Sequence, residues 1–219
     1  MLSKYQEALN KLVDSSYEFA SKSLDAFKIV TEVLDSKDLN RLKEAKELIK
    51  GSSKTEAKID MRAIETLALY APEATDLRRV VSILKATSEF SRISDYIKSQ
   101  ITTLSLEIQS GEFVNDDTKK AFYLSTLKAL EKSVELIKVE DESKLNELIR
   151  EINIEESKCD DFVSIIEKNI VSSICENESD VTIFIKRLNS IRKLERISDR
   201  CVNIAKLMKY AIEGGKLKL

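Results

Sequence analysis

Apolar side chains recur at Tyr5, Leu9, Leu12, Val13, Tyr17, Ala20, Leu24, Phe27, Val30 and Leu34. Steps of three and four residues put them on one helical face, so the pattern predicts a first helix over about residues 3–34, ended by Asp35-Ser36-Lys37-Asp38. A second pattern runs from Leu39 through Leu42, Leu48, Ile49, Ile59 and Ile64 to Tyr70, with a soft spot at Gly51-Ser52-Ser53. The lone proline, Pro72, is expected in the first turn of a third helix, where its missing N–H costs nothing. Glu73 and Asp76 add the negative charge that the helix dipole favours there. That helix continues through Val80, Ile83, Leu84 and Ile93 to about residue 106–109, and Gly111 breaks it. The plan then repeats over about 116–139, 143–175 and 179–212, closed by Gly214-Gly215.

Two matched motifs set the architecture. Glu56-Ala57-Lys58-Ile59-Asp60 matches Glu156-Ser157-Lys158-Cys159-Asp160 at an offset of 100, and Ser91-Arg92-Ile93-Ser94-Asp95 matches Glu195-Arg196-Ile197-Ser198-Asp199 at 104. The difference is about one helical turn, which the hairpin between two helices absorbs. An all-α fold of two pseudo-symmetric three-helix bundles is predicted, one over residues 1–110 and one over 111–219. Composition agrees: 4 Gly and 1 Pro in 219 residues cannot supply the tight turns of a sandwich or barrel.

The chain has no histidine. That removes Ser-His-Asp and Cys-His catalysis, His-ligated zinc or haem, and the usual general base near neutral pH. Basic and acidic residues number 17 and 17 in residues 1–110 and 19 and 21 in 111–219, so neither half has the positive excess that nucleic-acid binding requires. The longest stretch free of charge is eight residues, from Ser99 to Leu106, too short to span a membrane. Cys159, Cys175 and Cys201 are odd in number and widely spaced, which reads as reduced thiols of a cytoplasmic protein.

The acids carry the remaining candidate chemistry. Residues i and i+4 share a helix face with Cβ atoms ~5–6 Å apart, so Glu195 and Asp199 point one way, as do Glu156 and Asp160. Glu195 and Asp199 border the apolar stripe of the last helix. Facing pairs would offer several carboxylate oxygens and no imidazole, a donor set for a hard or borderline divalent or trivalent cation. Spacing alone leaves a second reading open and favours it: Arg192, Arg196, Arg200 and Lys158 are at hand for an ordinary salt-bridged surface. Lys58 and Lys158 read best as solvated, and Cys159 and Cys201 as small core residues. Arg78 and Arg79, beside Asp76, suit an acidic partner or a phosphate and equally an ordinary charged helix surface, and the Gly214–Leu219 tail reads as a frayed end rather than a membrane anchor.

Leu194-Glu195-Arg196-Ile197-Ser198-Asp199-Arg200-Cys201-Val202-Asn203-Ile204-Ala205 resembles the C-terminal signature of the PhoU family of phosphate-signalling regulators, an acid-x-x-x-Asp pattern followed by Asn-Ile-Ala. Leu69-Tyr70-Ala71-Pro72-Glu73-Ala74-Thr75-Asp76-Leu77-Arg78 resembles that family's Pro-x-Ala-x-Asp-Leu-Arg start of the third helix. The resemblance covers essentially the whole chain. It implies a cytoplasmic regulator, not an enzyme, placed at the inner face of the membrane. Such a protein links a phosphate ABC transporter to a sensor histidine kinase and damps the phosphate-starvation response. It also implies iron or zinc held by the acidic motifs, with magnesium or manganese as alternatives, and a homodimer is expected. Carried over by position, the metal residues are Glu195 and Asp199 in the second repeat and Asp95 in the first. Glu156, Asp160, Glu56 and Asp60 follow from the internal repeat and the family's acids on the second and fifth helices. Ser91 stands where the family has an acid, so the second repeat is expected to be the stronger site. The Pro72–Arg79 segment, with Asp76, Arg78 and Arg79, is the expected partner contact. The competing reading is a metal-free helical scaffold or oligomerisation module.

Overall fold

The computed structural model describes residues 2–176 and 181–215, with side chains over 4–172 and 184–215. The described residues contain helices and no strand: α1 (Leu2–Ser36), α2 (Leu39–Leu48), α3 (Ser52–Tyr70), α4 (Ala74–Ser110), α5 (Asp117–Leu136), α6 (Glu142–Glu176) and α7 (Val181–Glu213). Helix ends carry their expected stops. The Asp38 carboxylate accepts the Asn40 N–H at 2.8 Å to cap α2, and Asp116 accepts the Lys119 N–H at 2.7 Å to cap α5. Gly111 closes α4 in the left-handed conformation, at φ 75°.

Two sequence expectations are corrected. The soft spot at Gly51 is a full break: Gly51 adopts φ 74°, so the predicted second helix is two helices, α2 and α3. Its counterpart at the offset of 100 is Glu151, and α6 runs through that position without interruption. Pro72 lies ahead of α4, whose first residue is Ala74. A proline disfavours helical backbone in the residue before it, so α3 ends at Tyr70 and Ala71 turns to φ 43°. Ala74 also sits at positive φ, 47°, so two non-glycine residues are strained around this corner. Asp76 is in the first turn as expected. The predicted start of the last helix at 179, the side chain of Cys175 and the 216–219 tail lie outside the described residues.

Helices α1 to α4 form one bundle and α5 to α7 the other, with α4 packed along α7 and α1 against α5. The α4–α7 seam is antiparallel: Gln100 Nε2 donates to the Ser190 carbonyl at 2.7 Å, Lys193 Nζ to Ser99 Oγ at 2.8 Å, and Arg200 Nη1 to Glu89 Oε2 at 3.2 Å. One continuous apolar core runs through both bundles, from Tyr5 to Met208. The matched motifs occupy equivalent places in it, since Ile93, Ile197, Ile59 and Cys159 are all buried. Small hydroxyl residues let α1 and α4 approach closely: Ser16 meets Thr87 at 2.9 Å and Ser23 meets Ser94 at 2.8 Å. Thr87 and Ser94 also bond the carbonyls of Ile83 and Phe90 one turn back, which satisfies otherwise buried hydroxyls. With the matched isoleucines and Cys159 turned inward, the neighbouring acids fall at the rim of each bundle.

Candidate metal centre

On α6 the buried Cys159 precedes Asp160, and on α7 Ile197 and Ser198 are buried just before Asp199. This packing turns the acid faces of the two helices toward each other. Glu156, Asp160 and Asp199 each bring a carboxylate oxygen to within 4.8 Å of the others. Glu195 completes the group electrostatically, feeling both Asp199 and Asp160. Burial, followed by the neighbouring carboxylates, pushes the Glu156, Asp160 and Glu195 carboxyls above their ordinary values. The cluster is a place of mutual repulsion that a cation would relieve.

The salt-bridged alternative can be tested against the cations themselves. Arg192 Nε pairs with Glu167 at 3.2 Å, Arg200 with Glu89, and Lys158 Nζ with Glu155 at 2.7 Å, all outside the group. Arg196 alone of these four reaches it, donating to Asp199 Oδ2 at 3.1 Å from one turn back on the same helix. Lys206 lowers the Glu156 carboxyl from a distance without an ion pair among the described residues. Three carboxylates therefore converge, with Glu195 acting on them electrostatically and one guanidinium paired to Asp199, and the all-oxygen donor set fits a hard or borderline cation.

The first repeat arranges its acids differently. Glu56 and Asp60 are half-buried on α3, and burial followed by Glu56 pushes the Asp60 carboxyl up. One buried Asp60 oxygen has no hydrogen-bond partner. Ser91 is buried at the position of Glu195. Asp95 is exposed and taken by Lys98, whose Nζ lies 2.9 Å from Oδ1 and also donates to Ser52 Oγ at 2.6 Å. The structure thus brings together Glu156, Asp160 and Asp199, with Glu195 acting on them electrostatically, leaves Glu56 acting on Asp60 along one face of α3, and holds Asp95 in a separate contact. Sequence reading missed Lys98; its counterpart at the offset of 104 is Val202, and that mismatch within the repeat was the available signal.

The other singled-out residues have structural employment. Lys58 is exposed. Burial raises the Cys159 thiol to about 11 and the Cys201 thiol to about 12, and both residues are fully enclosed, as core residues are. Arg79 Nη2 bonds Glu140 Oε1 at 2.7 Å and ties the start of α4 to the α5–α6 turn. Arg78 donates to Thr75 Oγ1 at 2.9 Å and packs beside Gly214. Asp76 and Leu77 remain exposed. Among the described residues no helix is long and apolar enough to cross a membrane.

Comparison with known proteins adds an independent line. The sequence model described as the PhoU domain matches the chain twice, over residues 17–101 and 124–208. The phosphate-specific transport system accessory protein PhoU of Edwardsiella tarda is 28% identical over 175 residues, which cover 78% of this chain and 70% of that protein. The homolog of that accessory protein from Deinococcus radiodurans is 22% identical over 195 residues, 86% of each chain. The crystal structure of the phosphate transport system regulatory protein PhoU from Streptococcus pneumoniae superposes with a TM-score of 0.83 at 20% identity, covering 98% of this chain and 99% of that one. PhoU from Pseudomonas aeruginosa superposes at 0.75. At these identities the structural likeness bears on the fold.

Proposed function

Because the chain belongs to the PhoU family, whose members are accessory regulators and not enzymes, we propose that it regulates a phosphate-specific transport system. In this reading it represses the phosphate-starvation response when phosphate is plentiful. It acts from the cytoplasm by contact with a phosphate ABC transporter and a sensor histidine kinase at the inner face of the membrane. The observation that carries the reading is the family match to both repeats, with relatives named as accessory proteins of that transport system. Long bundles expose broad helical faces that dock partner helices through area, without chemistry of their own. Asp76 and Leu77, exposed beside the strained corner between α3 and α4, are the proposed point of one such contact.

The proposal includes a cation held between α6 and α7 by Glu156, Asp160, Glu195 and Asp199. Iron or zinc is expected from the family, and manganese or magnesium suits the same oxygens. When bound, it neutralises the carboxylates and links the two helices. The support is the convergence of Glu156, Asp160 and Asp199, with three of the four candidate cations paired elsewhere.

Deleting the gene and measuring alkaline phosphatase and phosphate uptake in phosphate-rich medium tests the regulatory role. Both should rise. An unchanged response, together with no transporter or kinase recovered by cross-linking in cells, would leave a helical scaffold as the surviving reading.

A further inference from the structure

The matched motifs of the two repeats are buried alike, at Ile59, Cys159, Ile93 and Ile197, yet the aspartates that follow them have different surroundings. In the second repeat Asp199 turns toward two acids of α6. In the first, its counterpart Asp95 is bonded to an ammonium that simultaneously bonds α3 through Ser52. Lys98 Nζ therefore does across α3 and α4 what a bound cation would do across α6 and α7: it joins the two helices through oxygen ligands. Arg196 does not do this in the second repeat. It reaches Asp199 from the preceding turn of the same helix, its side chain more than half exposed, and among the described residues it makes no ion pair with α6.

We infer that Lys98 is a built-in cation that closes the first repeat to metal, so this chain has a single metal-responsive half, the α6–α7 pair. The inference rests on the reading of the α6–α7 acids as a cation site. Three substitutions relative to the second repeat act together. Ser91 removes the carboxylate that Glu195 supplies, Lys98 places a fixed positive charge where Val202 is neutral, and Gly51 breaks the helix so that Ser52, at its new start, can accept from Lys98. A mobile cation approaching Asp95 would meet a like charge already seated on its ligand. Glu56 and Asp60 are left side by side on α3, with one Asp60 oxygen unpartnered. Half of an acid site persists without its second wall.

The consequence is an asymmetry in how the molecule answers metal. The α3–α4 contact is always made, because its cation is covalently part of the chain. The α6–α7 contact tightens only when a cation is supplied. A regulator built this way senses through one bundle and uses the other as a fixed frame.

Hydrogen–deuterium exchange of the full chain, stripped with a chelator and then loaded with Mn2+, reads this directly. Peptides over 150–165 and 192–205 should gain protection several-fold, while those over 52–62 and 88–100 stay unchanged. Equal gains in both halves would overturn the inference. In a chain carrying Glu195→Ala and Asp199→Ala, the response should vanish. Adding Ser91→Glu and Lys98→Val should restore it over 52–62 and 88–100, and no restoration in a folded variant counts against Lys98. If the glutamate cannot be buried at position 91, the single variant Lys98→Met decides in metal-free protein. Exchange should quicken over 52–62 and be rescued by Lys98→Arg, and an unchanged rate overturns the role. A wild-type chain indifferent to Mn2+ in both halves would remove the α6–α7 cation site, and the Lys98→Met comparison would then judge the internal cation alone.

Discussion

Glu156→Gln should stabilise the metal-free protein and destabilise the metal-loaded one. Glu156 brings an oxygen within 4.8 Å of both Asp160 and Asp199. Two unit charges at that distance repel by about 3 kcal/mol at an effective dielectric near 20, and by under ~1 kcal/mol in water. Asp160 is exposed and Asp199 shares Arg196, so screening moves each pair toward the lower figure. About 1–2 kcal/mol of repulsion on Glu156 remains. Glutamine keeps the size and hydrogen-bonding capacity and removes the charge. At ~2–4 °C per kcal/mol for a chain of this length, the melting temperature in chelator should rise by about 2 to 8 °C. The pH dependence has a definite sign. The folded-state carboxyl lies above the ordinary 4.5, so the unfolded chain gives up this proton first and the folded state is penalised as pH rises. The advantage of the glutamine variant should be full near neutral pH and vanish below the ordinary value, where the carboxyl is protonated in both states. With Mn2+ present the order should reverse, because the variant has lost a ligand. Differential scanning fluorimetry with and without chelator measures both arms. A lower melting temperature for Glu156→Gln in chelator at neutral pH would refute the reasoning, since it would mean that the carboxylate is held by favourable partners.

Replacing Glu195 and Asp199 together by Ala should abolish most Mn2+ binding in isothermal titration calorimetry, while Asp95→Ala should leave it nearly intact. Glu89→Ala removes the carboxylate from the Arg200 guanidinium at the α4–α7 seam, where both side chains are largely covered, and leaves it the Tyr96 hydroxyl. It should cost about 1–3 kcal/mol in urea unfolding, and Glu89→Gln less. Cys159 and Cys201 should resist alkylation in the native protein near neutral pH and react once it is unfolded, as peptide mapping by mass spectrometry would show.

What the chain determines locally, its sequence states plainly. Three-and-four spacing set the helices, the matched motifs at offsets of 100 and 104 announced the paired bundles, and the i, i+4 rule put Glu156 with Asp160 and Glu195 with Asp199. Those features depend on angles around one helix axis, which sequence position fixes. Gly51 and Pro72 were legible as punctuation but not in their effect. Whether a glycine bends a helix or ends it, and whether a proline opens the next helix or precedes it, depends on what the neighbouring bundle can pack against.

The tertiary structure alone decided which charges meet. Lys158 lies between Glu156 and Asp160 in sequence yet pairs with Glu155, and Arg200 crosses to Glu89 on another helix. Asp95 and Asp199 hold the same place in their repeats, but Lys98 joins the first to Ser52 of the broken helix, while the second, paired with Arg196 on its own helix, stands beside the acids of α6. Periodicity fixes where a side chain leaves its helix to within a few tens of degrees. It does not fix the interhelical distance or the rotamer of a lysine or arginine that can reach ~6 Å in several directions. Since Coulomb energies fall with distance and rise with burial, a shift of one rotamer decides whether an acidic pair is a salt-bridged surface or a place for a cation.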